Sequence, residues 1–223
     1  MKAFHRLHAL RLANDEKRAD MDAMTPRFER LRDRHTNGTA PRALSAFQLF
    51  QTPADLAARM VELAEPAPGL TWLEPSAGLG RLLRPILTTN PGTVCACELD
   101  AELSGELFRE FPGVLLGQGD FLERRPSWEG GGALIVKPFP NGPVQFDRVA
   151  MNPPFHMRAD IRHTLHALEF LASGGVLVGL CMSTRHREEA LRPLSDHWEV
   201  IPAGTFRAEG TGIETILFRI AKP

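Results

Sequence analysis

A chain of 223 residues is the length of one ordinary domain, with about forty residues to spare for an arm or cap. Hydrophobic residues at 43% and charged residues at 24% sit near globular averages, which excludes a wholly disordered, collagen-like or coiled-coil chain. No apolar run approaches the roughly 18 residues of a membrane span, and Met1-Lys2-Ala3-Phe4-His5-Arg6 leads into charge rather than an apolar signal core. The expectation is a cytoplasmic protein with no membrane partner.

The net charge of -1 is unevenly spread: residues 1–42 carry +4 and the remainder -5. Two readings of the basic arm are open, a solvated helical leader or a nucleic-acid contact. Apolar residues recur at three-to-four spacing from Ala3 to Leu12 and from Met21 to Leu31, predicting two short amphipathic helices. Turn formers from His35 to Pro41 then end the pattern. The domain division is therefore an extension over 1–42 and a body over 43–223. At Thr52-Pro53 the sequence predicts an N-cap followed by proline at the first helical position, with Leu56, Met60, Leu63 and Ala64 on one face of a helix reaching Glu65.

Beyond Pro66-Ala67-Pro68-Gly69, strand-like and helix-like segments alternate, the pattern of a mostly parallel sheet covered by helices on both faces. The predicted strands are 70–74, 93–98, 114–116, 146–151, 175–181, 198–201 and 214–220; helices are expected to begin near Leu79, Ala101, Arg158 and Thr184. The Gly- and Pro-rich stretch from Glu129 to Pro143 reads as a surface loop or hairpin, with Ala133-Leu134-Ile135-Val136 a candidate short strand. Cys95, Cys97 and Cys181 are odd in number and lie in apolar segments, so they read as reduced core thiols.

The chemistry concentrates where strands end. Glu74-Pro75-Ser76-Ala77-Gly78-Leu79-Gly80 is a strand running into a small-residue turn, whose glycines adopt conformations closed to other residues and let a ligand approach the backbone. Glu98 closes the second strand 18 positions after Gly80, near the spacing at which nucleoside-binding sheets grip ribose hydroxyls; its alternative is a solvent acid beginning the next helix. Asp120-Phe121 follows the third strand, where an acid can accept from an adenine amino group and an aromatic can pack on the ring; Asp120 reads equally well as a helix cap.

The sharpest motif is Asn152-Pro153-Pro154-Phe155 after an apolar strand. The prolines carry no N–H, so the turn presents acceptors without competing donors, which suits an exocyclic planar NH₂. Asn152 Oδ1 and the Pro153 carbonyl can each accept one amine hydrogen, and Phe155 can stack on the base. Phe206 is a second stacking candidate, though core or loop packing is its favoured reading. The pairs His5/His8 and His163/His166 lack a carboxylate or cysteine to complete a ligand set and read as surface histidines, so no metal is expected.

These residues resemble the class I S-adenosylmethionine-dependent methyltransferases that act on amino groups. Glu74 to Gly80, with Ser76, Ala77, Gly78 and Gly80, resembles their motif I; Glu98 with Leu99 resembles the acidic ribose ligand and its neighbour; Asp120-Phe121 resembles motif III and Asn152 to Phe155 motif IV. Phe50-Gln51-Thr52-Pro53 resembles motif X, and its place before motif I is similar to the order in gamma-type DNA adenine-N6 enzymes. The resemblance runs from Phe47 to Ile220. It implies a Rossmann-like doubly wound α/β fold, a mostly parallel seven-stranded sheet with an antiparallel final strand, and S-adenosyl-L-methionine as cofactor. The implied partner is nucleic acid, DNA favoured over RNA.

Two departures qualify the target. Only three residues follow Ile220, where sequence-specific DNA enzymes of this kind carry a recognition domain, so a partner protein, the arm or the 129–143 loop is expected to supply recognition. Asn-Pro-Pro-Phe-His is also similar to the ribosomal RNA guanine-N2 enzymes, which keeps RNA guanine or adenine as the alternative substrate. A protein glutamine amide and a catalytically silent nucleotide-binding module stand behind these.

Overall fold

The computed structural model describes residues 51–125, 145–206 and 212–223, all within the second of the two units into which the chain divides, Gln48–Pro223. The expected N-terminal helices, the boundary at 42 and 43, and the 129–143 stretch with its candidate strand lie outside the described residues.

In chain order the elements are α1 (Ala54–Leu63), β1 (Thr71–Glu74), α2 (Leu83–Leu87), β2 (Thr93–Glu98), α3 (Ala101–Glu110), β3 (Leu115–Gln118), β4 (Phe146–Met151), α4 (Ala159–Ala167), β5 (Leu171–Met182), α5 (Arg185–Leu191), β6 (His197–Ile201) and β7 (Thr215–Ala221). The seven strands form one sheet in the order β3-β2-β1-β4-β5-β7-β6. Strands β1 to β5 are parallel, and β7 pairs antiparallel with both β5 and β6. The predicted α/β class, mostly parallel sheet and antiparallel final strand are all present.

Alternation along the strands builds two cores. In β1, Trp72 faces one side with Met60 of α1, Ile86 of α2 and Leu107 of α3, while Leu73 faces the other with Ala167 of α4 and Leu191 of α5. Helices therefore cover both faces of the sheet, which is why its strands read as near-continuous apolar runs. Burying a side chain such as Met60 or Phe146, each with no exposed surface, contributes about 1.5–3 kcal/mol.

Two helix starts differ from expectation. Pro53 is itself the cap of α1 (φ -54, ψ 145) and, having no polar side-chain atom, makes no cap bond; the Thr52 hydroxyl accepts from Asn152. The helix expected from Leu79 begins only at Leu83, since Gly78 and Gly80 hold positive φ of 53° and 69° and keep the chain in a turn. At Gly80 the close approach is internal: an added Cβ would lie 2.4 Å from Phe111 Cε2. That glycine serves packing beneath the turn, not access for a ligand.

Candidate functional site

Because β2, β1 and β4 are neighbours, their carboxyl ends place the Glu74–Gly80 turn between Glu98 on one side and Asn152 on the other. The turn is pinned to β2. Glu98 Oε2 accepts from Gly78 N at 2.7 Å, its Oε1 accepts from Asp100 N at 2.9 Å, and Ala77 N donates to Cys97 O at 2.9 Å. Glu98 is a buried acid held by two backbone donors, and the cap of α3 is instead Asp100, whose Oδ1 accepts from Glu102 N and Leu103 N.

Glu74, at the end of β1, is 2% exposed, and its Oε2 has no hydrogen-bond partner among the described residues. Burial, reinforced by the nearby charge of Glu98 and opposed by the Leu83 backbone amide, pushes its carboxyl well above the usual range. An unsatisfied buried acceptor costs about 1–3 kcal/mol. Such a group marks a place where the fold forgoes stability.

On the acceptor side, Asn152 Nδ2 donates to Thr52 Oγ1 at 3.1 Å, and Arg81 Nε donates to Gln51 Oε1 at 2.9 Å. Gln51 and Thr52 thus tie the segment before α1 to both the β1 turn and the end of β4. Thr52 is buried, as is Pro153, while Asn152 and Pro154 are half-buried. The hydrogen bond to Thr52 engages Asn152 through Nδ2 and leaves its Oδ1 acceptor, a buried atom, outside that contact.

For Phe155 and Phe121 the structure departs from the stacking roles expected of them, while Phe206 and Asp120 take the packing and capping roles the sequence also offered. The Phe155 ring is 5% exposed and belongs to the core cluster of Leu56, Ala57 and Phe206, so stacking on a base requires that it first be uncovered. Phe206 is core, at 1% exposure. Phe121 is 2% exposed and packs on His166 and Phe170, with ring centroids 4.9 and 5.2 Å apart, rather than facing the crevice. Asp120 Oδ1 accepts from Leu122 N and so caps the turn that follows it. Leu99, beside Glu98, is 59% exposed and is an apolar group at this edge that remains open.

His163 and His166, expected on the surface, are buried against Phe121, because α4 turns that face into the core. Ser76 Oγ lies 3.5 Å from His163 Nδ1, so α4 walls the β1 turn. Burial pushes the His163 imidazole down to about 4, overriding the pull of Asp120. The three cysteines are free and buried, as expected, and burial pushes their thiols up to about 12, 11 and 12 for Cys95, Cys97 and Cys181.

Sequence reasoning missed one arrangement altogether. Arg187 of α5 reaches Asp160 of α4 through Nε, at 2.9 and 3.2 Å to the two carboxylate oxygens, and donates from NH2 to the Phe155 carbonyl at 2.8 Å. Asp160 has no exposed surface and Arg187 is 8% exposed; removing one partner of such a buried pair costs about 3–5 kcal/mol. Between the two clamped points, Met157 (φ 47) and Arg158 (φ 59) are both left-handed, each at a cost of about 1–2 kcal/mol. No signal in the sequence announces a pair 27 residues apart. Among the described residues no group of three or more His, Cys, Asp or Glu stands ready to hold a metal, and no helix is long and apolar enough to cross a membrane.

The strand order, the antiparallel β7 and the crevice at the carboxyl ends of β1, β2 and β4 define a Rossmann-like methyltransferase fold. TrmN from Thermus thermophilus has this fold at 23% identity over 76% of this chain and 49% of its own, with a TM-score of 0.56. The type I restriction-modification system methyltransferase subunit from Streptococcus thermophilus matches at 20% identity over 78% of this chain and 45% of its own, with a TM-score of 0.59. An RNA methyltransferase from Salinibacter ruber, solved in complex with S-adenosyl-L-homocysteine, matches at 19% identity over 78% of this chain and 94% of its own, with a TM-score of 0.51. The chain spans about half the length of the first of these and less than half of the second. No protein-family model and no curated protein matches the sequence.

Proposed function

We propose that the chain is an S-adenosylmethionine-dependent methyltransferase acting on an exocyclic amino group of a nucleic-acid base, in the first instance adenine N6 of DNA. The observation that carries this reading is the Asn152–Phe155 turn, delivered by β4 beside the Glu74–Gly80 turn and oriented by the bond from Asn152 to Thr52.

The residues present fit the cofactor. Glu98 offers ribose hydroxyls the two oxygens that now hold Gly78 N and Asp100 N. Leu99 offers an exposed apolar side chain to the adenine, and Asp120 a carboxylate to its amino group. The orphaned Oε2 of Glu74 awaits a hydrogen-bond partner. S-adenosylmethionine supplies an electrophilic methyl group on a sulfonium. This chain's part is to present the amine: Asn152 Oδ1 and the Pro153 carbonyl accept its two hydrogens, directing the nitrogen lone pair outward. The nitrogen gains its methyl before it loses a proton, so no general base is required.

The placement of Gln51-Thr52-Pro53 ahead of the β1 turn supports DNA adenine, and the exposed His156 directly after Phe155 supports the second reading, guanine N2 in RNA. Recognition comes from a partner protein or from the basic arm over 1–42; deleting the arm should then weaken nucleic-acid binding and lower its salt slope without altering cofactor affinity. A base inside a duplex must be flipped out at a cost of a few kcal/mol, so single-stranded or distorted DNA is the expected substrate. The test is calorimetry with S-adenosylhomocysteine, then incubation of the full chain with labelled cofactor and mixed DNA and RNA, followed by nucleoside mass spectrometry. N6-methyladenine in DNA supports the first reading and N2-methylguanine in RNA the second. Folded protein that gives no heat with the cofactor product overturns both.

A further inference from the structure

We propose that the turn His156-Met157-Arg158 is the surface that grips the nucleic-acid strand, with Met157 packed against a base displaced from its stack and Arg158 on a flanking phosphate. The inference rests on the function proposed above and adds to it a contact surface outside the cofactor crevice.

The burial pattern isolates this turn. Phe155 before it and Ala159 and Asp160 after it are buried, whereas His156, Met157 and Arg158 are all exposed. Met157 is 87% exposed, the highest value among the exposed large hydrophobic side chains of the described residues. A thioether in that position gains nothing for the folded chain, and the left-handed backbone at 157 and 158 works against it. Glycine or asparagine would relieve the strain. The chain instead places an apolar side chain and a guanidinium two and three residues beyond Phe155.

The turn is also held by its ends. Arg187 bonds the Phe155 carbonyl on one side and the Asp160 carboxylate on the other, so one buried side chain fixes both flanks while the middle projects. Met182 N and Ile161 N donate to the same carboxylate and add rigidity. A rigid projection loses little freedom on binding.

Charge selects the partner. Arg162 follows Arg158 one helical turn later, both are exposed, and neither forms an ion pair among the described residues. Two guanidinium groups without an ion pair among the described residues, both following the apolar tip in the chain, on a body of net negative charge, match a strand that offers phosphates and unstacked bases. Methionine is among the side chains that wedge between bases.

The experiment measures binding of short labelled oligonucleotides to the full chain saturated with S-adenosylhomocysteine, by fluorescence anisotropy, with arms of single-stranded DNA, duplex DNA and RNA. Variants are Met157→Gly, Met157→Leu and Arg158→Gly; glycine adopts the left-handed backbone without strain, so these variants fold. Met157→Gly should bind about tenfold more weakly, Met157→Leu should recover most of that, and Arg158→Gly should reduce the salt slope by about one. Affinity for S-adenosylhomocysteine and the melting temperature should not fall. The arm with the largest loss identifies the strand type. If the parent transfers methyl groups to nucleic acid and all three variants bind as it does, this inference alone is overturned. If the parent binds the cofactor product but no oligonucleotide, the inference falls together with nucleic acid as substrate.

Discussion

Two acids at opposite edges of the sheet, Asp147 and Glu74, are treated in opposite ways. At the amino edge, Asp147 Oδ2 accepts from Thr71 N and Thr71 Oγ1, each at 2.8 Å, while Asp147 N donates back to Thr71 Oγ1 at 3.0 Å. The Thr71 backbone amide, more than any other group, holds the Asp147 carboxyl below its ordinary value. At the carboxyl edge, Glu74 lies buried with one oxygen unsatisfied and its carboxyl pushed up. The first acid stitches β1 to β4 and lends stability; the second draws on it. Of this pair, the satisfied acid sits where strands are joined and the unmet one beside the turn that Glu98 and Asn152 flank.

Substitutions at the two edges should separate activity from stability. Asn152→Ala should lower methyl transfer roughly a hundredfold or more, with affinity for S-adenosylhomocysteine nearly unchanged, as read by single-turnover assay and calorimetry. Glu98→Ala should weaken S-adenosylhomocysteine by about 1.5–3 kcal/mol, tenfold or more, since a charge-assisted bond is lost and Gly78 N loses its anchor. Equal binding by that variant would remove Glu98 from the cofactor.

At the other edge, Thr71→Val should cost about 1–2 kcal/mol in urea unfolding while leaving cofactor binding alone. A loss of cofactor affinity there would erase the distinction between the edges. The smallest effect concerns pH. Glu74 keeps its proton to higher pH in the folded chain than in the unfolded one, so stability declines as pH rises from the ordinary carboxylate range through the raised value. Glu74→Gln does not titrate, and its melting temperature should lack that decline.

Much of this division is legible in the sequence, because both the sheet and its crevice are written locally. The β1 turn, Glu98 and Asn152–Phe155 each follow an apolar strand, and parallel strands bring their ends together without further instruction. What stays hidden depends on partners distant in the chain. The apolar spacing of α4 does not reveal that His163 and His166 face inward, because only the packing of Phe121 decides that. Phe155 reads as a stacking ring until its neighbours Leu56 and Phe206 are in place. The Arg187–Asp160 clamp joins two charged residues that look, in sequence, like any solvated pair on separate helices. Even Thr52, an evident helix cap by its position before proline, is claimed by an asparagine 100 residues away.

The place of β7 bears on the order in which the molecule assembles. It lies between β5 and β6, so β6, earlier in the chain, has no neighbour in the sheet until Thr215–Ala221 arrives. A growing chain that has reached residue 201 already holds β1, β2 and β4, the strands around the crevice, but presents the long apolar β5 as a bare edge. Such an edge is a template for pairing with other chains. The crevice can therefore form early, while protection from aggregation waits for a single late strand.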